Sequence, residues 1–225
     1  MTLKPKKIAP GFIPKWFALV TGPTMRTASQ YARDLIMYTV KQIAYAETKP
    51  FILNIHYAAR MPSISYAFGL FEDSKLVGIV SFGSPASAPL CRGICGEPEK
   101  SKVIELNRLV LLNNKKNEAS FLVSKSIKLL PRPKIIVSYA DTAQGHSGYV
   151  YQACNFLFTG TSKPRTDIAP KDGKHPRHHL GDTTNRVQRS AKHRYVYIHA
   201  DKRERKRLIS LLKYPIFDRY PKAIS

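Results

Sequence analysis

Between Gly96 and Gly145 the chain has no glycine, and nowhere does it contain Gly-x-Gly. That absence removes the usual nucleotide-binding turn, where glycines let the backbone come close to a phosphate. It sets aside an adenine methyltransferase, which would also carry an Asp/Asn-Pro-Pro-aromatic motif. Acidic residues are scarce too: 15 Asp and Glu stand against 37 Lys and Arg, a formal net charge of +22. A field of that sign draws polyanions such as nucleic acid. No apolar run approaches the roughly 20 residues that cross a bilayer, and the opening MTLKPKKIAPGF lacks a signal-peptide core. Cysteines number three, Cys91, Cys95 and Cys154. An odd and small set argues against a disulfide framework and fits a reducing cytosol, so a cytoplasmic protein with no membrane partner is expected. Cys91 and Cys95 are also wrongly spaced for a zinc deaminase, and His175, His178 and His179 read as solvated phosphate contacts.

What is present is enough for a folded domain. The chain has 225 residues, 43% hydrophobic and 10% aromatic, and is expected to form one domain over 1–225. From Ser162 onward there are 17 basic and 6 acidic residues, which is half of the net charge. Residues 162–194 read as a basic loop or insertion, and 200–225 as a basic helix and tail. Periodicity gives a helix over 24–49 bounded by Pro23 and Pro50, and a hairpin of 65–71 and 76–82 around Glu-Asp-Ser-Lys. A Pro- and Gly-rich loop follows over 83–96, then a strand over 103–112 and a helix over 117–130. Ile135-Ile-Val137 is a buried strand, Ser147 a helix cap with the helix running to Phe156, and Phe156-Leu-Phe158 the re-entry into the sheet. A strand over 194–199 and a helix over 201–213 finish the core.

The strand from Ile135 leads into Tyr139, Asp141, Thr142, Gln144, Gly145 and His146. The carboxyl ends of strands in α/β folds commonly hold ligands. His56, Tyr57, Asp141 and Tyr149 sit at or beside strand ends and are the candidate proton-handling residues. Arg60 adjoins the first pair, while Asn107 and Arg108 sit mid-strand; with Tyr139, Gln144 and Tyr151 they are candidate substrate contacts. The element order and the helix ending GYVYQACNF resemble the GNAT acyltransferases, a mixed central sheet flanked by helices. In that resemblance a phosphate-cradling glycine loop belongs near 111–119; here only Lys115, Lys116 and the helix amides after Asn117 offer an anion a place.

Taken together, NIHYAARMP, Glu105-Leu-Asn-Arg108, the 120–130 helix and SYADTAQGHSGYVYQACNFLFTG resemble the Mom family of phage DNA-modification proteins. That resemblance implies an α/β GNAT-like fold whose site is built from His56, Tyr57, Arg108, Ser124, Asp141 and Tyr149. It implies that adenine is flipped from double-stranded DNA and its exocyclic amine converted to a methylcarbamoyl (acetamido) form that blocks restriction. Lys163, Arg165, Lys171, Lys174, Arg177, Arg186, Arg189, Lys192 and Arg194 are then the expected phosphate contacts, and a tyrosine the expected stacking platform. The methylcarbamoyl product joins a methylene carbon to nitrogen, so simple acyl transfer cannot make it. Either acetyl-CoA is activated at its methyl group, for which His56, Tyr57 and Asp141 would be an iron-type ligand set, or the donor is glycine-derived. The alternatives are an acetyltransferase acting on another amine and a non-catalytic nucleic-acid binder. A homodimer is compatible with the sequence but not readable from it.

Overall fold

The computed structural model describes residues 38–168 and 185–222, all within one compact unit. Seven strands form the main sheet: β1 (Tyr38–Gln42), β2 (Tyr66–Glu72), β3 (Lys75–Gly83), β4 (Val103–Leu111), β5 (Lys134–Asp141), β6 (Leu157–Thr161) and, late in the chain, β9 (Lys192–His199). Their order across the sheet is β1-β2-β3-β4-β5-β9-β6. A separate ribbon pairs β7 (Arg165–Ile168) with β8 (Arg186–Arg189). The α/β class, with a mixed sheet flanked by helices, is as expected. Helices α1 (Tyr45–Asn54), α2 (Ala88–Cys95), α3 (Glu118–Leu129), α4 (Tyr149–Ala153) and α5 (Lys202–Ser210) connect or cover the strands.

Alternation along the central strands builds two cores. Ile104 and Leu106 of β4 and Ile136 of β5 point toward Leu122, Val123 and Ile127 of α3. Val103, Ile135 and Val137 point the other way, onto Ile94 of α2 and Leu208 of α5. Both faces of β5 are therefore covered, which is why Ile135-Ile-Val137 is apolar without alternation.

Every neighbouring pair in the sheet is antiparallel except one. β4 and β5 run parallel and pair only at Val103 with Ile135, Ile104 with Ile136 and Glu105 with Val137. Beyond Glu105 the two strands part, although both continue. The Ser138 hydroxyl donates to the Leu106 carbonyl at 3.0 Å and marks the fork. A cleft thus opens at the carboxyl ends of the two central strands.

Several local expectations need correction. Tyr38 to Gln42 is not helical; it zips onto β2 as an edge strand. A Tyr-Thr-Val run suits a pleated surface, and pairing overrode its helical spacing. Pro50 lies inside α1 rather than ending it. The hairpin turn is two residues, Asp73 and Ser74, both at positive φ (47° and 69°), the geometry that matches strand twist. Within 83–96, α2 forms because Ser87 caps it, accepting from the Leu90 amide, with a proline in its first turn. Helix α4 is shorter than expected, and Gly148, not Ser147, precedes it. Gly148 is at φ 81°, and a Cβ there would lie 2.3 Å from the Tyr195 ring. The basic stretch after Ser162 contains the β7–β8 ribbon; Lys171, Lys174, Arg177, His175, His178 and His179, and the helix expected before Tyr38, lie outside the described residues.

Candidate active site

The turn after α1 supplies the first side chains. The His56 amide donates to the Phe51 carbonyl at 3.0 Å, and the Ala58 amide donates to His56 Nδ1 at 3.0 Å. With Nδ1 accepting, the neutral ring carries its proton on Nε2. Burial, then the Arg108 charge, then His146 hold the imidazole down at about 4. His56 is thus a neutral ring that presents an N–H, a hydrogen-bond donor and not a proton acceptor. Tyr57 stacks on it with centroids 4.4 Å apart and meets His146 edge-on at 6.0 Å. More than half of Tyr57 is exposed (56%), so the ring is accessible to a ligand.

Arg108 comes from β4, past the fork. Its two terminal nitrogens donate to the Asn107 carbonyl at 2.6 Å and the Arg60 carbonyl at 2.8 Å, while its buried Nε has no partner among the described residues. Asn107 is a staple: its oxygen accepts from Ser81 and its amide donates to the Ser63 carbonyl, both at 2.7 Å. Glu105, at the last paired position, is the residue sequence reasoning did not select. Its carboxyl is pushed up to about 7, because burial outweighs the Arg108 charge, an Ala86 backbone hydrogen bond and the Lys192 charge. A mid-strand glutamate flanked by apolar residues was the available signal. Desolvation leaves it able to gain or lose a proton near neutrality.

The opposite lip is the end of β5. Asp141 Oδ2 pairs with Lys192 Nζ at 2.6 Å, and Oδ1 accepts from the Ser190 hydroxyl and the Ala143 amide. Although burial opposes it, these partners hold the carboxyl below the usual range. Asp141 is a clasp between β5 and the root of the ribbon. With both oxygens engaged and His56 Nδ1 taken, His56, Tyr57 and Asp141 do not form the iron-type set considered above; among the described residues no group of three or more His, Cys, Asp and Glu side chains converges. Tyr139 is half-buried, and its hydroxyl is pushed well above the ordinary range by burial, with Glu105 adding to the effect. Tyr149 and Tyr151 divide as their spacing requires. Tyr149 is exposed (74%), whereas Tyr151 packs against Tyr195 at 5.3 Å and Phe156 at 5.4 Å. Burial raises Tyr151 to about 12; a Ser138 hydrogen bond opposes the rise, and Tyr57 and Glu105 add to it. Gln144 is exposed in a short turn. Ser124 donates back to the Phe121 carbonyl within α3 at 3.1 Å. Lys163, Arg165 and Arg186 are exposed, and Arg189 is partly so. Arg194 is engaged internally: it bonds Thr159 through Nε and Nη2 and lies 3.4 Å over the Tyr214 ring.

At the β4–α3 turn two carboxylates are paired. Glu118 is buried; it accepts from the Tyr38 hydroxyl at 2.5 Å and the Lys115 amide at 2.7 Å. Lys115 Nζ is paired with Glu72 at 2.6 Å. Of the expected anion site, Lys115 is engaged with Glu72, and Lys116 is exposed.

Among solved structures, the Arabidopsis thaliana protein NAA60 in complex with acetyl-CoA is 11% identical, with 72% of this chain and 98% of that one covered at a TM-score of 0.47. The ribosomal-protein-S18-alanine N-acetyltransferase of Escherichia coli is 9% identical, with 73% and 95% covered at 0.46. A curated relative, the methylcarbamoylase mom of Escherichia phage Mu, is 31% identical over 153 residues. That match covers 65% of this chain and spans only 61% of the relative's length. The model of the Mom protein family matches residues 37–222, the whole of the sheet and the cleft, and the chain belongs to that family.

Proposed function

We propose that the protein is a transferase that flips adenine out of duplex DNA and converts its exocyclic amine to the methylcarbamoyl (acetamido) form, shielding the DNA from restriction. The observation that carries this reading is the cleft where β4 and β5 part. There a neutral His56, an accessible Tyr57 ring, a partly unpaired Arg108 and a Glu105 near its titration midpoint all meet. Membership of the Mom family and the methylcarbamoylase name of the phage Mu relative support it.

An amine inside a duplex is out of reach, and extruding the base costs a few kcal/mol. Basic contacts along the phosphates offset that cost, and the +22 charge supplies them. In the cleft the purine stacks on Tyr57, and the His56 Nε2–H donates to a ring nitrogen or to the donor's carbonyl oxygen. The amine nitrogen attacks the donor's methylene carbon, and the bond from that carbon to its leaving group breaks with the electron pair going to the leaving group. One proton is released from the exocyclic amine. Glu105 accepts it, because a carboxylate near pH 7 is matched to the working pH. The donor is a two-carbon unit: a glycine derivative with a leaving group on its methylene carbon fits this step directly, whereas acetyl-CoA needs a two-electron oxidant at its methyl group first.

Mass spectrometry of nucleosides from plasmid DNA in cells producing the protein is the test. A deoxyadenosine species heavier by one acetamide substituent supports the reading. Unmodified deoxyadenosine in cells with abundant folded protein removes it.

A further inference from the structure

The β7–β8 ribbon stands outside the main sheet and pairs only with itself. Arg165 lies directly across from Arg189. Like charges placed opposite destabilise a strand pair, and a two-stranded ribbon has little stability in reserve. Among the described residues the local compensation is thin. One oxygen of Asp167 lies 3.7 Å from Arg165 and 3.8 Å from Arg189, both beyond hydrogen-bond length. Two guanidiniums therefore share one carboxylate without hydrogen-bonding to it. The Arg165 side chain is 76% exposed and that of Arg189 36%.

The ribbon is also anchored to the cleft. At its root, Ser190 and Lys192 bond Asp141, and the Thr142 hydroxyl donates to the Ala191 carbonyl at 2.7 Å. Arg165 is close enough to act on Tyr139, one strand-end residue of the site. A paired cationic fork beside a base pocket needs an anion with several oxygens and a fixed place relative to that base. The phosphodiester backbone has both properties, and guanidiniums suit it because their forked donors match its oxygens.

We propose that Arg165 and Arg189 close together on one backbone phosphate of duplex DNA, Asp167 holding the two guanidiniums apart and ready until the phosphate arrives. This rests on the DNA reading above and adds which element grips the duplex and how many phosphates it takes. The full chain is titrated onto a fluorescent duplex of about 20 base pairs, with salt varied from about 50 to 200 mM. Removing the grip on one phosphate lowers the slope of log affinity against log salt by about 1. Because either arginine alone still neutralises a shared phosphate, Arg165→Gln and Arg189→Gln each weaken binding but change the slope by well under 1, and the double variant lowers it by about 1. A fall of about 2 in the double variant would mean separate phosphates, and an unchanged slope in the double variant would take the ribbon off the DNA; either overturns the clamp. The double variant is also relieved of the like-charge repulsion across the ribbon, so its melting temperature holds or rises, and a fall would contradict the premise. Nucleoside mass spectrometry separates the two ideas. Modified adenine with an unchanged slope sinks the clamp alone, and unmodified adenine with the expected slope change sinks the enzymatic reading alone.

Discussion

Two regions flank β4, and they treat charge in opposite ways. At the β4–α3 turn every charged group that matters is paired: Glu118 with Tyr38 and the Lys115 amide, and Lys115 with Glu72. In the cleft past Glu105 the groups are under-paired and perturbed, with Glu105 near 7, His56 near 4 and the Arg108 Nε without a partner among the described residues. Paired charges at the turn hold β1, β2 and α3 together. Partly satisfied ones in a cleft have a folding cost and are a signature of a ligand site. The difference teaches that the charges at the turn are structural, while the chemistry proposed above falls to the groups in the cleft.

The largest effect that would break this comparison comes from Glu105→Gln. Adenine modification in cells should fall by about 100-fold or more, in the range of a lost general base, with the protein still folded. The same variant has a stability signature. Glu105 has a folded pKa above its ordinary 4.5, so the folded state binds the extra proton and wild type loses stability as pH rises from about 4.5 to 7. Thermal melts of Glu105→Gln against wild type should diverge in favour of the variant across that window and run parallel above it.

Next comes His56, where two amides separate donor from base. Glutamine places an N–H near the Nε2 position and should keep a measurable fraction of modification, whereas His56→Asn should lose about tenfold more. Equal loss in both would return His56 to the role of a base. Opposite in kind is Glu118→Gln. It should cost about 1–3 kcal/mol in chemical denaturation, since an amide cannot accept at both positions, yet leave the modification of DNA per folded molecule near wild type. Smallest is Lys115→Ala, which removes a half-exposed, solvent-screened ion pair and should leave the denaturation midpoint almost unchanged.

How much of this was readable in the sequence follows from what each signal depends on. The run Ile135-Ile-Val137 and the α3 stripe depend on burial alone, and burial is written in composition. The Tyr38–Gln42 strand was not readable, because its state is set by pairing with residues some thirty positions away. Helix α2 was missed because a serine cap and a proline near the helix start look like loop residues until the cap is seen. In the site, the His56-Tyr57 pair and Arg108 were selected from their setting and from the family resemblance, and the structure brings them to the cleft with Tyr151. Asp141 is there too, but as a partner of Lys192, a pairing across 51 residues that no local pattern carries. Glu105 escaped because a strand glutamate looks like any surface charge until the parting of β4 and β5 is known.

The most direct test is the deoxyadenosine profile of plasmid DNA from cells producing wild type, Glu105→Gln and Glu118→Gln at equal soluble levels. The account requires the acetamide-shifted nucleoside with wild type and Glu118→Gln and its near absence with Glu105→Gln. A shifted nucleoside that survives Glu105→Gln but disappears with Glu118→Gln would contradict it, because the chemistry would then lie at the turn and not in the cleft.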